Sequence, residues 1–408
     1  MRQTMRVVGM SVACAAVLQA SGYKIPEQSL KGTALGAANV AAVNGADANY
    51  YNPANMVWMD NAYHMEGALT YINLPKVKFA NSGAGADGES KEEHFLMPSL
   101  HVVTPEYYEN WRFGFSTVAP GGLSKRWNSP YQKTFAEEFT LRIIEANPTA
   151  AYKINDQLAL GFGVRMVYTD GVVKSDGNLG FGAAKRDLTG DSIDYGYNLA
   201  LAYRPTSELK LAATYRSKVD LTVKGDAKLY HLNALQYDGS ASVTIPLPAT
   251  LALAAAYTFN KTTVELVYER VYWSAYKNLD FNYGSTIANP VLVAMFDNPS
   301  AKNWKDSNTY RIGITHEYSD ALTLMAGYAY DETPVPDSTI GFELPDSDAN
   351  LYSVGFNYKI SKEMTVGMAY LYSDKKARSV NDANNPRTRG KFTGSGAHLV
   401  TTGLTYRF

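Results

Sequence analysis

The chain of 408 residues contains little cysteine or histidine, with one Cys and six His. Few thiolate and imidazole ligands are therefore available, so we expect no metal site, cofactor or redox centre. The sequence also has no excess of positive charge, because 38 Lys and Arg balance 39 Asp and Glu. We expect no nucleic-acid partner, since phosphate binding usually requires a basic surface.

Long hydrophobic runs are missing as well. A transmembrane helix needs about 20 consecutive apolar residues, and no segment of the chain provides them. A short apolar run at 7–18 follows two arginines, which is typical of a secretory signal peptide. We predict that residues 1–20 are this signal, with cleavage between Ala20 and Ser21. Removal of the signal takes away Cys14, so we expect an exported protein without disulfides, either soluble or a β-barrel in an outer membrane.

Tyrosine is abundant, with 30 Tyr beside 15 Phe, and the apolar residues alternate. Residues 158–168 alternate six bulky apolar side chains with small residues and Arg165. A barrel in lipid shows this pattern, with an apolar outer face and a small or polar lumen. Fourteen such segments predict an all-β, 14-stranded antiparallel transmembrane β-barrel over 61–408, in the outer membrane of a Gram-negative cell. The predicted strands are 61–74, 94–104, 110–118, 139–154, 157–174, 190–204, 208–226, 240–259, 262–280, 306–319, 321–332, 348–360, 363–376 and 395–408.

The alternation is absent between residues 21 and 60. This segment is low in charge and rich in Ala and Gly. It could extend into the periplasm or fold into the lumen, and its composition favours packing inside. We therefore predict that 21–60 is a hatch that plugs the barrel.

Several short motifs follow one another in a fixed order along the chain. They are 21–29, Gly36-Ala37-Ala38, Asn52-Pro53-Ala54, Trp304-Lys305-Asp306, 310–313, 331–337 and 344–346. Together these motifs resemble the FadL/TodX family of outer-membrane transporters. The similarity covers the mature chain from end to end, and the ordered set of motifs is more specific than any one of them.

The resemblance implies a fourteen-stranded barrel with an N-terminal hatch that takes up long-chain fatty acids or other hydrophobic molecules. We expect a monomer in contact with outer-membrane lipid and lipopolysaccharide. We read 175–189 and 227–239 as loops shorter than those of fatty-acid transporters, which predicts a smaller external capture groove. A general diffusion porin is the main alternative, and an outer-membrane lipid hydrolase is a weaker one. The hatch residues that match the family are Gly22, Tyr23, Asn52, Pro53 and Ala54.

The third predicted strand runs into Ala119, Pro120, Gly121 and Gly122. Proline cannot donate a ladder hydrogen bond and glycine tolerates bulges, so this sequence is a candidate kink. Taken alone, the sequence favours an ordinary external turn over a kink. The resemblance favours a lateral gate, because the family's third strand bends inward at this place.

A fatty-acid carboxylate needs a cation within an otherwise apolar pocket. The candidates are Lys305, then Lys174, and Arg165, which points inward by the alternation. Each could instead be a solvated charge paired to a nearby acid. The external apolar stretch 287–296 could form pocket walls or a short helix that caps the barrel. Its predicted ligand-binding residues are Val291, Leu292, Met295 and Phe296.

Overall fold

The computed structural model describes residues 22–83, 85–178, 180 and 182–408. The predicted signal peptide and its cleavage site at Ala20 and Ser21 lie outside these residues. Among the described residues, no helix is long and apolar enough to cross a membrane. The helical turns are short and lie in the N-terminal segment or in external loops. They are α1 Leu30–Ala34, α2 Ala48–Tyr51, α3 Pro130–Ala136 and α4 Pro290–Leu292, 3₁₀ turns at Pro53–Trp58, Trp273–Ala275 and Pro386–Thr388, and a π-helical turn at Val293–Asp297.

Most of the described chain is extended. The strands are β1 His64–Leu74, β2 Lys78–Asn81, β3 Gly88–Glu89, β4 Glu93–Val103, β5 Trp111–Arg126, β6 Glu138–Lys153, β7 Leu158–Asn178, β8 Ala183–Tyr203, β9 Leu209–Arg216, β10 Val219–His231, β11 Ala234–Leu247, β12 Thr250–Phe259, β13 Thr262–Val271, β14 Asn278–Leu279, β15 Phe281–Tyr283, β16 Ser300–Ala301, β17 Ser307–Glu317, β18 Leu322–Asp331, β19 Ala349–Lys359, β20 Met364–Lys375, β21 Arg378–Val380, β22 Gly390–Thr393 and β23 Gly396–Arg407.

Seventeen of these strands form one hydrogen-bonded sheet. The pairs β9/β10, β11/β12 and β13/β15 each make one interrupted crossing of the wall. The described residues therefore form a barrel of fourteen antiparallel crossings, which confirms the predicted fold class. The barrel closes where β1 pairs with both β4 and β23. A four-stranded sheet of β21, β22, β2 and β3 lies among the external loops.

The alternation of residue types decides which face of the wall each side chain takes. On β7, the bulky residues from Leu160 to Tyr168 point outward and are 39–54% exposed. The alternate residues, including Gly161 and Arg165, point inward and are buried. In water such an outer face would be unfavourable, whereas in lipid it is the expected surface of a membrane barrel.

Two predicted external loops are strands instead, which corrects the reading of 175–189 and 227–239. β7 continues to Asn178 and β8 begins at Ala183, so this hairpin extends well beyond its outward apolar band. β10 and β11 likewise continue to a turn at Leu232 and Asn233, both of which have positive φ angles. Most outward residues here are polar, and this loop-like composition hid a regular period of two.

Three predicted strands are interrupted, and in the segment 262–280 the break follows Val271, where a 3₁₀ turn at Trp273–Ala275 begins. In the segment 208–226, the break falls at Ser217 and Lys218. Asn198 pairs with Arg216 below the break and Asp191 pairs with Lys224 above it, so seven steps along β8 face eight along the other strand. The extra residue is a bulge that re-aims the side chains above it. In the segment 240–259, the break falls at 248–249, where a proline ends the ladder.

Residues 22–58, which we call the hatch segment, are bonded to the inner face of the wall. Glu265 of β13 accepts hydrogen bonds from the backbone N–H groups of Val40 and Ala41, both at 2.6 Å. Arg311 of β17 donates to the carbonyl of Gly36 at 3.0 Å. Such bonds satisfy irregular backbone that could not face lipid. They are consistent with the hatch predicted for 21–60.

Inward-facing glycines let the wall approach the hatch segment closely. A Cβ on Gly327 of β18 would lie 2.2 Å from the carbonyl carbon of Leu35. A Cβ on Gly161 of β7 would lie 2.5 Å from the backbone nitrogen of Ala54. Any larger residue at these positions would displace the backbone of the hatch segment, so the glycines are a steric requirement of its position.

The hatch segment also touches the seam where the first and last strands meet. The Thr401 hydroxyl of β23 lies 2.8 Å from the Thr70 hydroxyl of β1. It also lies 2.8 Å from the hydroxyl of Thr33 in α1. These three threonines join the hatch segment and both strands of the seam.

Candidate functional site

The wall has a gap between β4 and β5. These strands pair only from Leu100 opposite Thr117 to Val103 opposite Gly114. In contrast, β4 pairs with β1 over its whole length, and β5 pairs with β6 as far as Arg126. Residues 93–99 of β4 and 118–123 of β5 are therefore not bonded to each other. A register shift between Val118 and Gly121 marks the place where β5 leaves the regular path.

The hatch segment takes up the backbone groups that β5 withdraws from β4. Ile25 donates its N–H to the carbonyl of Pro120 at 2.9 Å, and Gly122 donates to the carbonyl of Tyr23 at 2.8 Å. The side chain of Gln28 completes the contact at Ala119. Its amide nitrogen donates to the Ala119 carbonyl at 2.8 Å, and its oxygen accepts from the Ala119 N–H at 2.9 Å.

The external end of the gap is bridged by side chains. Glu93 of β4 accepts from the Ser124 hydroxyl and from the Arg126 guanidinium of β5, both at 2.6 Å. The gap is thus a window, bounded below by the pair of Leu100 and Thr117 and above by Glu93.

Tyr23 places an aromatic cluster beside the gap. Its ring packs edge-on against Trp273 at 4.7 Å between centroids, and Trp304 lies at 5.9 Å. Its hydroxyl donates to the carbonyl of Pro246 at 2.5 Å. Tyr23 is 2% exposed, so the stretch 22–28 fills the lumen between this cluster and β5.

An external cavity of about 520 Å³ lies above the barrel, within the usual size range of small-molecule sites. Polar side chains form most of its lining, and five phenylalanines lie among them. The lining includes the apolar residues Phe135, Phe281, Met295 and Phe296 and the cations Arg186, Lys302 and Arg387.

Two cations of the cavity lining lie over aromatic rings: Arg387 lies 5.4 Å from the centre of the Phe135 ring, and Arg186 lies against two rings. The Arg186 guanidinium lies 5.1 Å from the centre of the Phe281 ring and 5.2 Å from that of Phe296. Its Nε donates to the Ser175 hydroxyl at 3.1 Å. Among the described residues no carboxylate lies within ion-pair distance of it, whereas the nearby Lys302 is paired with Glu343. Arg186 is therefore available to a ligand anion.

A narrow apolar slot of about 40 Å³ adjoins the cavity and shares Phe139 and Phe281 with it. Leu141 of β6 and Ile245 of β11 line the slot. Two residues further along the same inward faces are Ile143 and Leu247. Their methyl carbons lie 3.2 and 3.4 Å from the position that a Cβ on Gly121 would take. A continuous apolar surface therefore runs from the cavity to the gap.

The predicted cations take different places. Arg165 is buried in the wall, where it donates to Glu145 at 2.8 Å and to the Ser217 carbonyl at 2.6 Å. Lys174 lies on β7 with its ammonium 3.8 Å from Asp187, and Lys305 is exposed in an external loop. The structure brings none of these three into the lining of the cavity.

The four predicted ligand-binding residues of the apolar stretch 287–296 do not all line the cavity. Met295 and Phe296 line the cavity, while Leu292 is fully buried in the core beneath them and Val291 is half-buried. All four lie in α4 and the π-helical turn that follows it. This is the short capping helix that the sequence allowed as an alternative to pocket walls. The described residues contain no group of three or more His, Cys, Asp or Glu that could hold a metal ion.

The predicted hatch residues have structural partners. The Gly22 N–H donates to Asp346 at 3.3 Å, and its φ of +73° favours glycine. Asn52 donates to the Val40 carbonyl at 3.0 Å and caps the turn that contains Pro53 and Ala54.

Sequence reasoning missed Arg186, because it treated 175–189 as a loop. A signal was nevertheless present in the sequence. Even-numbered residues of β8, such as Ala200, face inward, and Arg186 is an even-numbered residue further along the same strand toward the outside.

A closed barrel with an apolar belt, an N-terminal segment bonded to its inner face and an external cavity is typical of an outer-membrane transport protein. A family model described as "Outer membrane protein transport protein (OMPP1/FadL/TodX)" matches residues 11–408, so the chain belongs to this family. It is 23% identical over 368 residues to the "Long-chain fatty acid transport protein" of Salmonella typhi, covering 80% of this chain and 81% of the relative.

Solved structures share the fold. A Pseudomonas aeruginosa FadL homologue superimposes with a TM-score of 0.83 at 21% identity, covering 95% of this chain and 99% of that one. The P. putida toluene transporter TodX has a TM-score of 0.72 at 21% identity, with 93% and 97% covered. The family resemblance and the outer-membrane location are thus confirmed.

Proposed function

We propose that the protein takes up hydrophobic molecules that bear a carboxylate, such as long-chain fatty acids. In this proposal the molecule enters the external cavity, passes along the slot and leaves sideways into the membrane through the gap between β4 and β5. Residues 22–58 act as the hatch that denies water a direct path. A monomer is sufficient, because the cavity, the slot and the gap all belong to one chain.

The gap is the observation that carries the proposal. A barrel wall in lipid normally satisfies every backbone group within the ladder, because lipid offers no hydrogen bonds. Here β5 gives up its pairing with β4 between 118 and 123, and its backbone is satisfied instead by Tyr23, Ile25 and Gln28. The opening thus leaves the N–H and carbonyl of Ala119, the Pro120 carbonyl and the Gly122 N–H with hydrogen-bond partners, which favours a lateral gate at Ala119–Gly122.

The character of the cavity supports an anionic, largely apolar solute. Arg186 supplies a cation for a carboxylate, and the rings of Phe281 and Phe296 that flank it supply apolar surface for the adjoining chain. The apolar slot then continues the path for the hydrocarbon tail. The relatives named for fatty-acid transport make the same solute class reasonable.

The test is to close the gap. Replacing Pro120-Gly121-Gly122 by Thr-Val-Thr restores a ladder donor, and a Cβ at position 121 would lie only 2.9 Å from the Tyr23 carbonyl oxygen. Both changes favour a straight β5 that pairs with β4. We expect uptake of a long-chain fatty acid to fall at least tenfold (~1.4 kcal/mol of barrier), while surface binding persists.

Gly67→Val is the matched control, because a Cβ there meets nothing within 4 Å. Heat-modifiable gel mobility and circular dichroism establish that each barrel has folded. A straightened variant that is folded and imports as well as the parent would show that the solute leaves by another route.

A further inference from the structure

Glu27 lies within the stretch that bonds β5, between Ile25 and Gln28. Its side chain is 1% exposed, and neither of its carboxylate oxygens has a hydrogen-bond partner among the described residues. An ionised carboxylate in such a position is strongly unfavourable, because burial removes its hydration and nothing replaces it. The mechanism of transport proposed above assigns Glu27 no role.

The charged groups around Glu27 do not balance. Those that act on its carboxyl are Lys24 of the same stretch, Arg311 of β17 and Asp331 of β18. Both cations already form ion pairs with Glu269, with N–O distances of 2.5 Å for Lys24 and 3.4 Å for Arg311. Asp331 also faces the buried ion pair of Lys375 and Asp346, so three cations face four carboxyl groups and one carboxyl group is in excess.

Glu27 is the member of the cluster best suited to hold a proton. Glu269 has both cations, and Asp331 accepts from the Thr309 hydroxyl at 2.6 Å. Glu27 alone among these three carboxyl groups has no donor from any other described residue. In agreement, burial raises the pKa of Glu27 from its ordinary value near 4.5 to about 7.

We propose that Glu27 is a proton-dependent latch: protonated, it keeps the stretch 22–28 seated against β5, and ionised, it releases that stretch and joins the apolar slot to the gap. This regulation rests on the proposed function, because it acts on the lateral exit. Gln28 and Ile25 are the residues that the latch holds in place.

The sign of the pH effect follows from linkage. The seated carboxyl has the raised pKa, and the released carboxyl in water has the ordinary one, so the seated state binds the proton more tightly. The ratio of seated to released states therefore falls about tenfold for each pH unit above about 4.5, and the fall is complete above about 7. Across that window the ratio of released to seated states rises by about two orders of magnitude.

The first experiment measures release without transport. In a Cys14→Ser background, Ile25→Cys reports the stretch, and Ala38→Cys, equally buried, reports the rest of the hatch segment. Maleimide labelling of the purified protein is followed from pH 5.5 to 8 and corrected with a model thiol. We expect the corrected labelling rate of Ile25→Cys to rise at least tenfold over this pH range, which corresponds to about one pH unit of the linkage effect. The labelling rate of Ala38→Cys should not change.

Two further variants link the rise to the carboxyl group. With Glu27→Gln the labelling of Ile25→Cys should lose its dependence on pH, and with Glu27→Asp the dependence should return. A rise that survives in Glu27→Gln, or a parent whose labelling is flat, would overturn the latch.

Uptake of a neutral long-chain alcohol separates this proposal from the proposed function, because the solute itself does not titrate. Uptake that rises with pH in the parent and not in Glu27→Gln supports both. Labelling that depends on pH with uptake that does not would leave the latch standing and refute the route through the gap. Uptake that depends on pH with flat labelling would overturn the latch.

Discussion

Gln28→Leu tests the contact between the hatch segment and β5 most directly. The substitution keeps the volume of the side chain but removes three hydrogen bonds, two to Ala119 and one at 2.9 Å to the Ile25 carbonyl. The N–H and C=O of Ala119 then lose their partners in a buried position. Each unsatisfied buried group costs about 1–3 kcal/mol, so the seated stretch should lose about 2–4 kcal/mol after partial hydration.

This cost corresponds to an opening of the stretch that is roughly 30- to 1,000-fold more frequent. Hydrogen exchange read by mass spectrometry should show faster exchange in peptides covering 22–28 and 118–123, with little change elsewhere in the barrel. The matched control is Gln132→Leu, since Gln132 is equally buried but donates to Ala86 in the external loops. If the stretch exchanges as slowly in Gln28→Leu as in the parent, the amide of Gln28 does not hold β5.

Three further outcomes are expected. Arg186→Met should weaken binding of a long-chain carboxylate by about tenfold or more, because a charge-assisted hydrogen bond contributes about 1.5–3 kcal/mol, and should leave a neutral alcohol of equal length unaffected in a competition assay. Equal losses for both ligands would mean that Arg186 acts only through packing. The parent protein in planar bilayers should show little steady conductance, since the hatch segment fills the lumen, and lasting porin-like conductance would instead support the general diffusion porin. Gly327→Leu should raise that conductance, because its side chain would overlap the backbone of Leu35, and a silent, folded variant would show that the hatch segment tolerates the displacement.

The number of strands and their faces were predictable because both are local properties. A period of two in residue size is visible within one segment, as on β7, and it decides which side chains face lipid. The inward direction of Arg165 followed from the same parity. The membership of the family followed from short motifs in a fixed order.

The partners of these residues were not predictable, because they come from distant parts of the chain. The parity of Arg165 could not reveal that Glu145 on the neighbouring strand already neutralises it. The Pro-Gly-Gly sequence suggested a kink, but the loss of pairing with β4 and its replacement by the stretch 22–28 depend on long-range geometry. The two long hairpins were missed since their outward residues are polar, as loops are. The roles of the gate, the hatch and the ligand-binding residues stay predictions.

The threonines at the seam have a consequence for biogenesis. Thr70 and Thr401 lie on the first and last strands of the barrel, and Thr33 bonds the same hydroxyl from inside. The seam can therefore reach its full set of hydrogen bonds only when the N-terminal residues already occupy the lumen, which makes them an internal template for closure. Thr33→Val should accordingly slow the final step of assembly, measured as the time to reach the heat-modifiable form, more than it lowers the stability of the finished barrel.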